Sequence, residues 1–101
     1  MFLQEIENGA LTGILFSSDS CAICTGLWQQ MQERIVPQFP LLTLYQVKID
    51  DYPELKSRFM IFSVPVFIIF FDNKELIRKA GVFGMNEILE PLNRYYPLIN
   101  S

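Results

Sequence analysis

The sequence predicts one α/β domain over residues 1–101, in which a central four-stranded mixed sheet is flanked by helices. Three observations lead to this fold class. Two strand-like segments enclose a long segment with helical periodicity, which is the order of a parallel strand–helix–strand unit. A later apolar run is followed by a turn and a second strand, which predicts an antiparallel hairpin. Half of the 101 residues are hydrophobic, so the chain can bury the core of one such domain.

A short helix is predicted at the start of the chain, and Asn8 with Gly9 would end it. Its apolar face is formed by Phe2, Leu3 and Ile6. Residues 11–16 are predicted to form a strand that is buried on both faces, because polar and apolar residues do not alternate there. Residues 41–49 are predicted to form a second, mostly covered strand, since their apolar residues also fall on both parities.

The helix between these strands carries both cysteines of the chain. It should run to about Val36, because Pro37 would stop it. Its apolar positions describe one stripe, namely Cys24, Leu27, Trp28, Met31 and Ile35. Cys21 lies ahead of that stripe at the helix tip, whereas Cys24 belongs to it. We therefore expect Cys21 to be accessible and Cys24 to be largely buried.

The second half of the chain contains the predicted hairpin. Residues 50–53 would end the second strand, and a short helix through Phe59 would follow. Val66–Phe71 is the most apolar run and should form a central strand. A turn at residues 72–74 then leads into an antiparallel partner over residues 75–80.

A last helix is predicted after two glycines, Gly81 and Gly84, which break the hairpin strand. Asn86 is expected to cap this helix, which should run to about Tyr96. Because proline lacks an N–H group, Pro91 predicts either a kink or a late start.

The two cysteines, separated by two residues, have the spacing of a redox dithiol. At a helix N-terminus the backbone N–H groups lack partners and the helix dipole favours negative charge. A thiolate at Cys21 is therefore stabilised, and the thiolate is the reactive form of cysteine. Asp19 would act in the opposite direction, so we expect the pKa of Cys21 to be only modestly below that of a free thiol. Cys24 lies one turn further, close enough to form a disulfide with Cys21.

Two alternatives to a redox dithiol remain open. The first is half of a metal site, but tetrahedral zinc takes four ligands, and this chain has two cysteines and no histidine. The second is a non-catalytic interaction module with vestigial cysteines.

The net charge of −3 argues against a nucleic-acid partner, and no apolar run is long enough to span a membrane. We expect no metal, no organic cofactor and a monomeric protein. Because the acidic N-terminus does not resemble a secretory signal, we also expect the protein to be cytoplasmic.

The order of elements resembles the thioredoxin fold over nearly the whole chain. The resemblance rests on Cys21-Ala22-Ile23-Cys24, on Val47–Asp50 closing the second strand, on Ser63-Val64-Pro65 before the third, and on Gly81 after the hairpin. The family's extra first strand has little room here. The resemblance implies a cis peptide bond between Val64 and Pro65, in a loop that faces the dithiol.

The resemblance also implies an activity, thiol–disulfide exchange on disulfide-containing proteins or peptides. Electrons would come from a reductase or a low-molecular-weight thiol. Cys21 would be the nucleophile and Cys24 the resolving cysteine. The substrate-binding residues implied by the resemblance are Ala22, Ile23, Val64, Pro65, Gly81 and Val82.

Five positions depart from the pattern of the Trp-Cys-Gly-Pro-Cys thioredoxins. Ser20 replaces the tryptophan, and Ala22-Ile23 replaces Gly-Pro. The family's buried acid, thought to help deprotonate the second cysteine, aligns with Leu15, and its lysine partner aligns with Gln46. The usual proton acceptor for Cys24 is thus missing from the sequence.

Overall fold

The computed structural model of the chain describes residues 2–99. These residues contain four helices, four strands and two short 3₁₀ turns. The elements in order are α1 (Phe2–Glu7), β1 (Thr12–Ser17), α2 (Ala22–Arg34), a 3₁₀ turn (Val36–Gln38), β2 (Thr43–Lys48), a second 3₁₀ turn (Ile49–Asp51), α3 (Glu54–Arg58), β3 (Val66–Phe71), β4 (Lys74–Ala80) and α4 (Asn86–Ile99).

The strands form one mixed sheet in the order β2-β1-β3-β4. β1 pairs with β2 in parallel and with β3 in antiparallel orientation. β3 and β4 form the antiparallel hairpin. Its two-residue turn has positive φ at both Asp72 (54°) and Asn73 (62°), a conformation in which Asn and Asp are among the favoured residues. The predicted fold class, a four-stranded mixed sheet flanked by helices, is confirmed.

Each face of the sheet is covered by helices, because the two central strands are apolar on both sides. On one face, Leu15 and Phe67 belong to a cluster that also contains residues of α2 and α4. On the other face, Phe16 and Ile68 belong to a cluster with residues of α1 and α3. Every residue of β1 is buried, as predicted. Burying one such apolar side chain contributes about 1.5–3 kcal/mol, so these two clusters are the main stabilising feature.

The predictions about three elements, β2, α2 and α4, need correction. β2 is not a mostly covered strand: it lies at the edge of the sheet, and Val47 is its one buried residue. α2 ends at Arg34, and Pro37 lies within the 3₁₀ turn that follows. α4 begins at Asn86, which is therefore its first residue and not its cap. The helix runs through Pro91 to Ile99, which excludes the late start, one of the two alternatives predicted for Pro91.

None of the helices described over residues 2–99 combines the length and apolar character needed to cross a bilayer.

Candidate active site

Cys21 lies at the point where the chain leaves β1 and enters α2. A turn of three polar residues, 18–20, separates the strand from the helix, and the Cys21 N–H donates to the Ser18 carbonyl oxygen at 3.2 Å. Cys21 has extended backbone angles (φ −93°, ψ 94°) and occupies the N-cap position of α2. The Cys24 N–H donates to Cys21 Sγ at 3.2 Å. One of the unpaired N–H groups of the helix N-terminus is therefore directed at this sulfur.

The two cysteines form a disulfide, with 2.14 Å between their Sγ atoms and 5.4 Å between their Cα atoms. Cys24 is 1% exposed, as predicted from its place in the apolar stripe. Cys21 is partly exposed, so its predicted accessibility holds in part. The remaining stripe residues Leu27, Met31 and Ile35 are buried, and Trp28 is half-buried against the same cluster. The packing of this stripe anchors the helix while its N-terminal tip remains at the surface.

An ion pair that the sequence did not reveal involves Asp19, which lies two residues before Cys21. Lys48 Nζ is 2.7 Å from Asp19 Oδ1. The hydrogen bond to Asp19, and then the charge of that carboxylate, raise the pKa of Lys48 above its ordinary value. The parallel register explains the contact, since Lys48 pairs with Ser17 at the end of β1, two residues before Asp19. The negative charge that Asp19 presents to Cys21 is thus partly balanced by an ammonium group.

The two positions that hold an acid and a lysine in the family are register partners on β1 and β2 in this chain. Leu15 and Gln46 are direct partners in the β1–β2 register. Leu15 is fully buried in the cluster with α2. The exposed Gln46 side chain donates from Nε2 to Ser17 Oγ at 3.3 Å. Neither residue supplies a carboxylate or an ammonium group under the dithiol.

A backbone hydrogen bond links the loop before β3 to the loop after β4. The Val64–Pro65 peptide bond is cis. The Gly81 N–H donates to the Pro65 carbonyl oxygen at 2.9 Å, and Gly81 has a positive φ of 75° that favours glycine. Val64 lines a cleft that Ser18 and Ser20 also line, so this loop borders the turn before Cys21.

The residues predicted to bind substrate form two parts of the surface. Ala22 and Ile23 lie on the first turn of α2, where Ile23 is 49% exposed. Val82 is 81% exposed and directly follows Gly81. Val64 is half-buried and Pro65 is buried, and the Pro65 carbonyl oxygen already accepts the hydrogen bond from Gly81. The structure thus connects Val64, Pro65, Gly81 and Val82 in one pair of loops.

Sequence reasoning missed two exposed apolar residues in the same region. Phe62 is 89% exposed and Met60 is 63% exposed, and Met60 has a positive φ of 56°. Both line a second cleft of about 330 Å³, next to Ser63. The run of apolar residues before Ser63 was the available signal, but an apolar residue in a loop does not reveal whether it faces the core.

Similarity to known proteins agrees with this geometry. The chain is 32% identical over 93 residues to the thioredoxin-like protein YdfQ of Bacillus subtilis, covering 92% of this chain and 82% of that one. It is 27% identical over 94 residues to a thioredoxin of Chlamydia trachomatis, covering 93% and 90% of the two chains. The crystal structure of oxidised thioredoxin O2 from Arabidopsis thaliana superposes with a TM-score of 0.82 at 18% identity, covering 93% and 83%. No protein-family model matches the chain.

The relatives, the fold and the paired cysteines at the tip of α2 lead to one assignment. The fold of this chain is the one that the solved thioredoxin structure shares. The dithiol supplies the chemistry, because two neighbouring thiols can exchange a disulfide with another molecule. The chain belongs to the thioredoxin-like family of thiol–disulfide oxidoreductases.

Proposed function

We propose that the protein reduces disulfide bonds of proteins and peptides, with Cys21 as the nucleophile and Cys24 as the resolving cysteine. The observation that carries this proposal is the N-cap position of Cys21, whose sulfur accepts a hydrogen bond from the Cys24 N–H. A donor aimed at the sulfur stabilises the thiolate more than the neutral thiol. Cys24 is buried, which makes its sulfur less accessible to a substrate than Cys21 and suits it to the second, intramolecular step.

The exchange proceeds in two steps from the reduced protein. The Cys21 thiolate attacks one sulfur of the substrate disulfide, and the other substrate sulfur leaves as a thiolate that takes a proton from water. Cys24 then loses its proton to solvent and attacks Cys21 Sγ. This step breaks the mixed disulfide, releases the second substrate thiol and forms the Cys21–Cys24 bond. Two electrons pass from the protein dithiol to the substrate.

The substrate segment lies across Ala22 and Ile23 on one side and the paired loops on the other. Val64 offers its backbone to the substrate, and Pro65, Gly81 and Val82 form the rest of the binding surface. The exposed apolar side chains of Ile23 and Val82 support this assignment, because they favour an apolar peptide over a strongly charged one. The protein acts as a monomer in a reducing compartment such as the cytoplasm. A reductase or a low-molecular-weight thiol returns the disulfide to the dithiol.

A non-catalytic interaction module of the same fold is the alternative, and one observation favours it. The positions that hold the acid and the lysine in the family are occupied by Leu15, which is fully buried, and Gln46. Without an acceptor beneath the dithiol, release of the mixed disulfide would be slow.

Reduction of insulin disulfides by the dithiothreitol-driven protein distinguishes the two functions. The wild-type protein should accelerate insulin precipitation, and Cys21→Ser should reduce the rate to that of dithiothreitol alone. Cys24→Ser should still form a mixed disulfide with substrate but not release it. Equal activity of wild type and Cys21→Ser would remove the enzymatic proposal and leave the interaction module.

A further inference from the structure

A small cleft of about 210 Å³ lies beside the turn that precedes Cys21. Its wall is continuous with both parts of the proposed reaction site, because Ser20 precedes Cys21 and Val64 precedes the cis bond to Pro65. Its polar lining is formed by Ser18, Ser20, Asp50, Lys56 and Ser63, and its apolar lining includes Phe62. Cys21 itself is not among the residues that line the cleft, but the chain passes directly from Ser20 on the cleft wall to the reacting cysteine.

The cleft presents one negative and one positive group. Asp50 comes from the 3₁₀ turn after β2, and Lys56 comes from α3. Within residues 2–99, the ion pairs use other side chains and leave both of these charges without an ionic partner. Hydroxyl groups add neutral donors and acceptors, and those of Ser18 and Ser20 lie 3.3 Å apart in a hydrogen bond. A ligand with both an ammonium group and a carboxylate complements this surface.

The size of the cleft restricts the ligand further. Pockets for drug-sized molecules have volumes of about 300–1,000 Å³, so a cleft of this size takes only one amino-acid-sized group. Ser20 also matters, because it stands at the position of the tryptophan in the Trp-Cys-Gly-Pro-Cys motif. An indole there would place a ring with about 150–250 Å² of surface at the cleft wall. The small hydroxymethyl group leaves the cleft open.

We propose that this cleft binds one half of a low-molecular-weight disulfide that carries an α-ammonium group and a carboxylate, of which cystine is the simplest probe. The ammonium group faces Asp50 and the carboxylate faces Lys56. The inference rests on the proposed exchange at Cys21 and names a substrate class for it. The Cys21 thiolate attacks the ligand disulfide, one amino-acid thiol leaves, and Cys24 releases the other as the Cys21–Cys24 disulfide forms. The protein dithiol supplies both electrons.

Four disulfides test the two charged contacts separately. The reduced, desalted protein is mixed with cystine, with cystamine, which lacks the carboxylates, with 3,3′-dithiodipropionate, which lacks the ammonium groups, or with neutral hydroxyethyl disulfide. The second-order rate of thiol loss is measured for each. Every rate is divided by the rate with hydroxyethyl disulfide, which cancels changes in the reactivity of Cys21 or in the folded fraction.

The variants Asp50→Asn and Lys56→Met should have opposite selectivities. Asp50→Asn should lower the normalised rates with cystine and cystamine by about three- to tenfold and should not lower the rate with dithiodipropionate. Lys56→Met should lower the rates with cystine and dithiodipropionate by a similar factor and should not lower the rate with cystamine. Asp51→Asn and Lys74→Met make the same charge changes at exposed residues outside the cleft and should leave the ratios unchanged.

Each contrary result has one meaning. Normalised rates equal to wild type in both cleft variants would overturn the binding site while leaving exchange at Cys21 intact. An equal loss in Asp51→Asn and Lys74→Met would also overturn it, because the effect would then come from net charge. If Cys21→Ser lost thiols to hydroxyethyl disulfide as fast as the wild type, the proposed function itself would fail, whatever the cleft variants did.

Discussion

The two sides of the dithiol differ in kind. On the interior side, the apolar cluster that packs α2 against the sheet contains fully buried residues such as Leu15 and Met31. Around the exposed tip of the dithiol, apolar side chains such as Ile23 lie among polar and charged groups, which include the Asp19–Lys48 ion pair and the cleft with Asp50. Charge near Cys21 is therefore set at the surface, where water and salt screen it, and not in the interior, where electrostatic interactions are stronger. The interior side supports the fold, and the surface side adjusts the chemistry.

Introducing a carboxylate beneath the dithiol should have the largest effect, and it acts on both stability and chemistry. Leu15→Asp removes a fully buried apolar side chain and places an acid in the core, so we expect a loss of about 3–5 kcal/mol in the free energy of unfolding. Burial raises the pKa of such a carboxyl group, which suits it to accept a proton near neutral pH. Urea denaturation measures the stability, and the pH dependence of mixed-disulfide release measures the chemistry.

Leu15→Asn is the matched control for this prediction. It has nearly the same size and should be destabilised to a similar extent, but it has no titratable group. Using 5,5′-dithiobis(2-nitrobenzoate), the first thiolate reports attack by Cys21 and the second reports release by Cys24. Leu15→Asp should accelerate the second step relative to Leu15→Asn. Equal rates in the two variants would show that the missing acid does not limit release.

A methyl group added inside the sheet and one added on the helix surface should have opposite effects on stability. A Cβ at Gly13 would lie 2.8 Å from Leu44 Cδ2 and 3.2 Å from Phe67 Cζ. Leu44 is half-buried at the sheet edge and can move, but Phe67 is fully buried and cannot. We expect Gly13→Ala to destabilise the protein by about 1–2 kcal/mol.

Gly26, on the exposed face of α2, is the matched position for Gly13. A Cβ there meets nothing within 4 Å, and alanine is the better helix former. Gly26→Ala should stabilise the protein by about 0.5–1 kcal/mol. Thermal unfolding of both variants measures the contrast. A shift of the same sign in both would mean that the sheet is less tightly packed at Gly13 than its contacts indicate.

The contrast between interior and surface also explains what the sequence could reveal. The buried elements were predicted well because apolar periodicity reports burial directly: β1, β3 and the stripe of α2 from Cys24 to Ile35 all agree with the structure. β2 was misjudged because an edge strand and a central strand can have the same apolar composition, and only the strand order distinguishes them. The ion pair of Lys48 depends on register between segments distant in sequence, which no local pattern reports.

The smallest effect is expected at that ion pair. Because the pKa of Lys48 is raised in the folded state, its contribution to stability is fully present below the pKa of a free lysine, about 10.4, and is lost as the pH rises through the raised value. Both partners are exposed, with side chains 54% and 82% accessible, so salt should weaken the contact further. Lys48→Met should therefore change stability little at neutral pH.

The same substitution should slow the alkylation of Cys21 by iodoacetamide at low ionic strength, because the carboxylate of Asp19 then opposes the thiolate without compensation. Asp19→Asn should restore the rate in the double variant, and 0.5 M salt should reduce the difference. A slower rate that persists in the double variant and at high salt would mean that Lys48 acts through packing and not through charge.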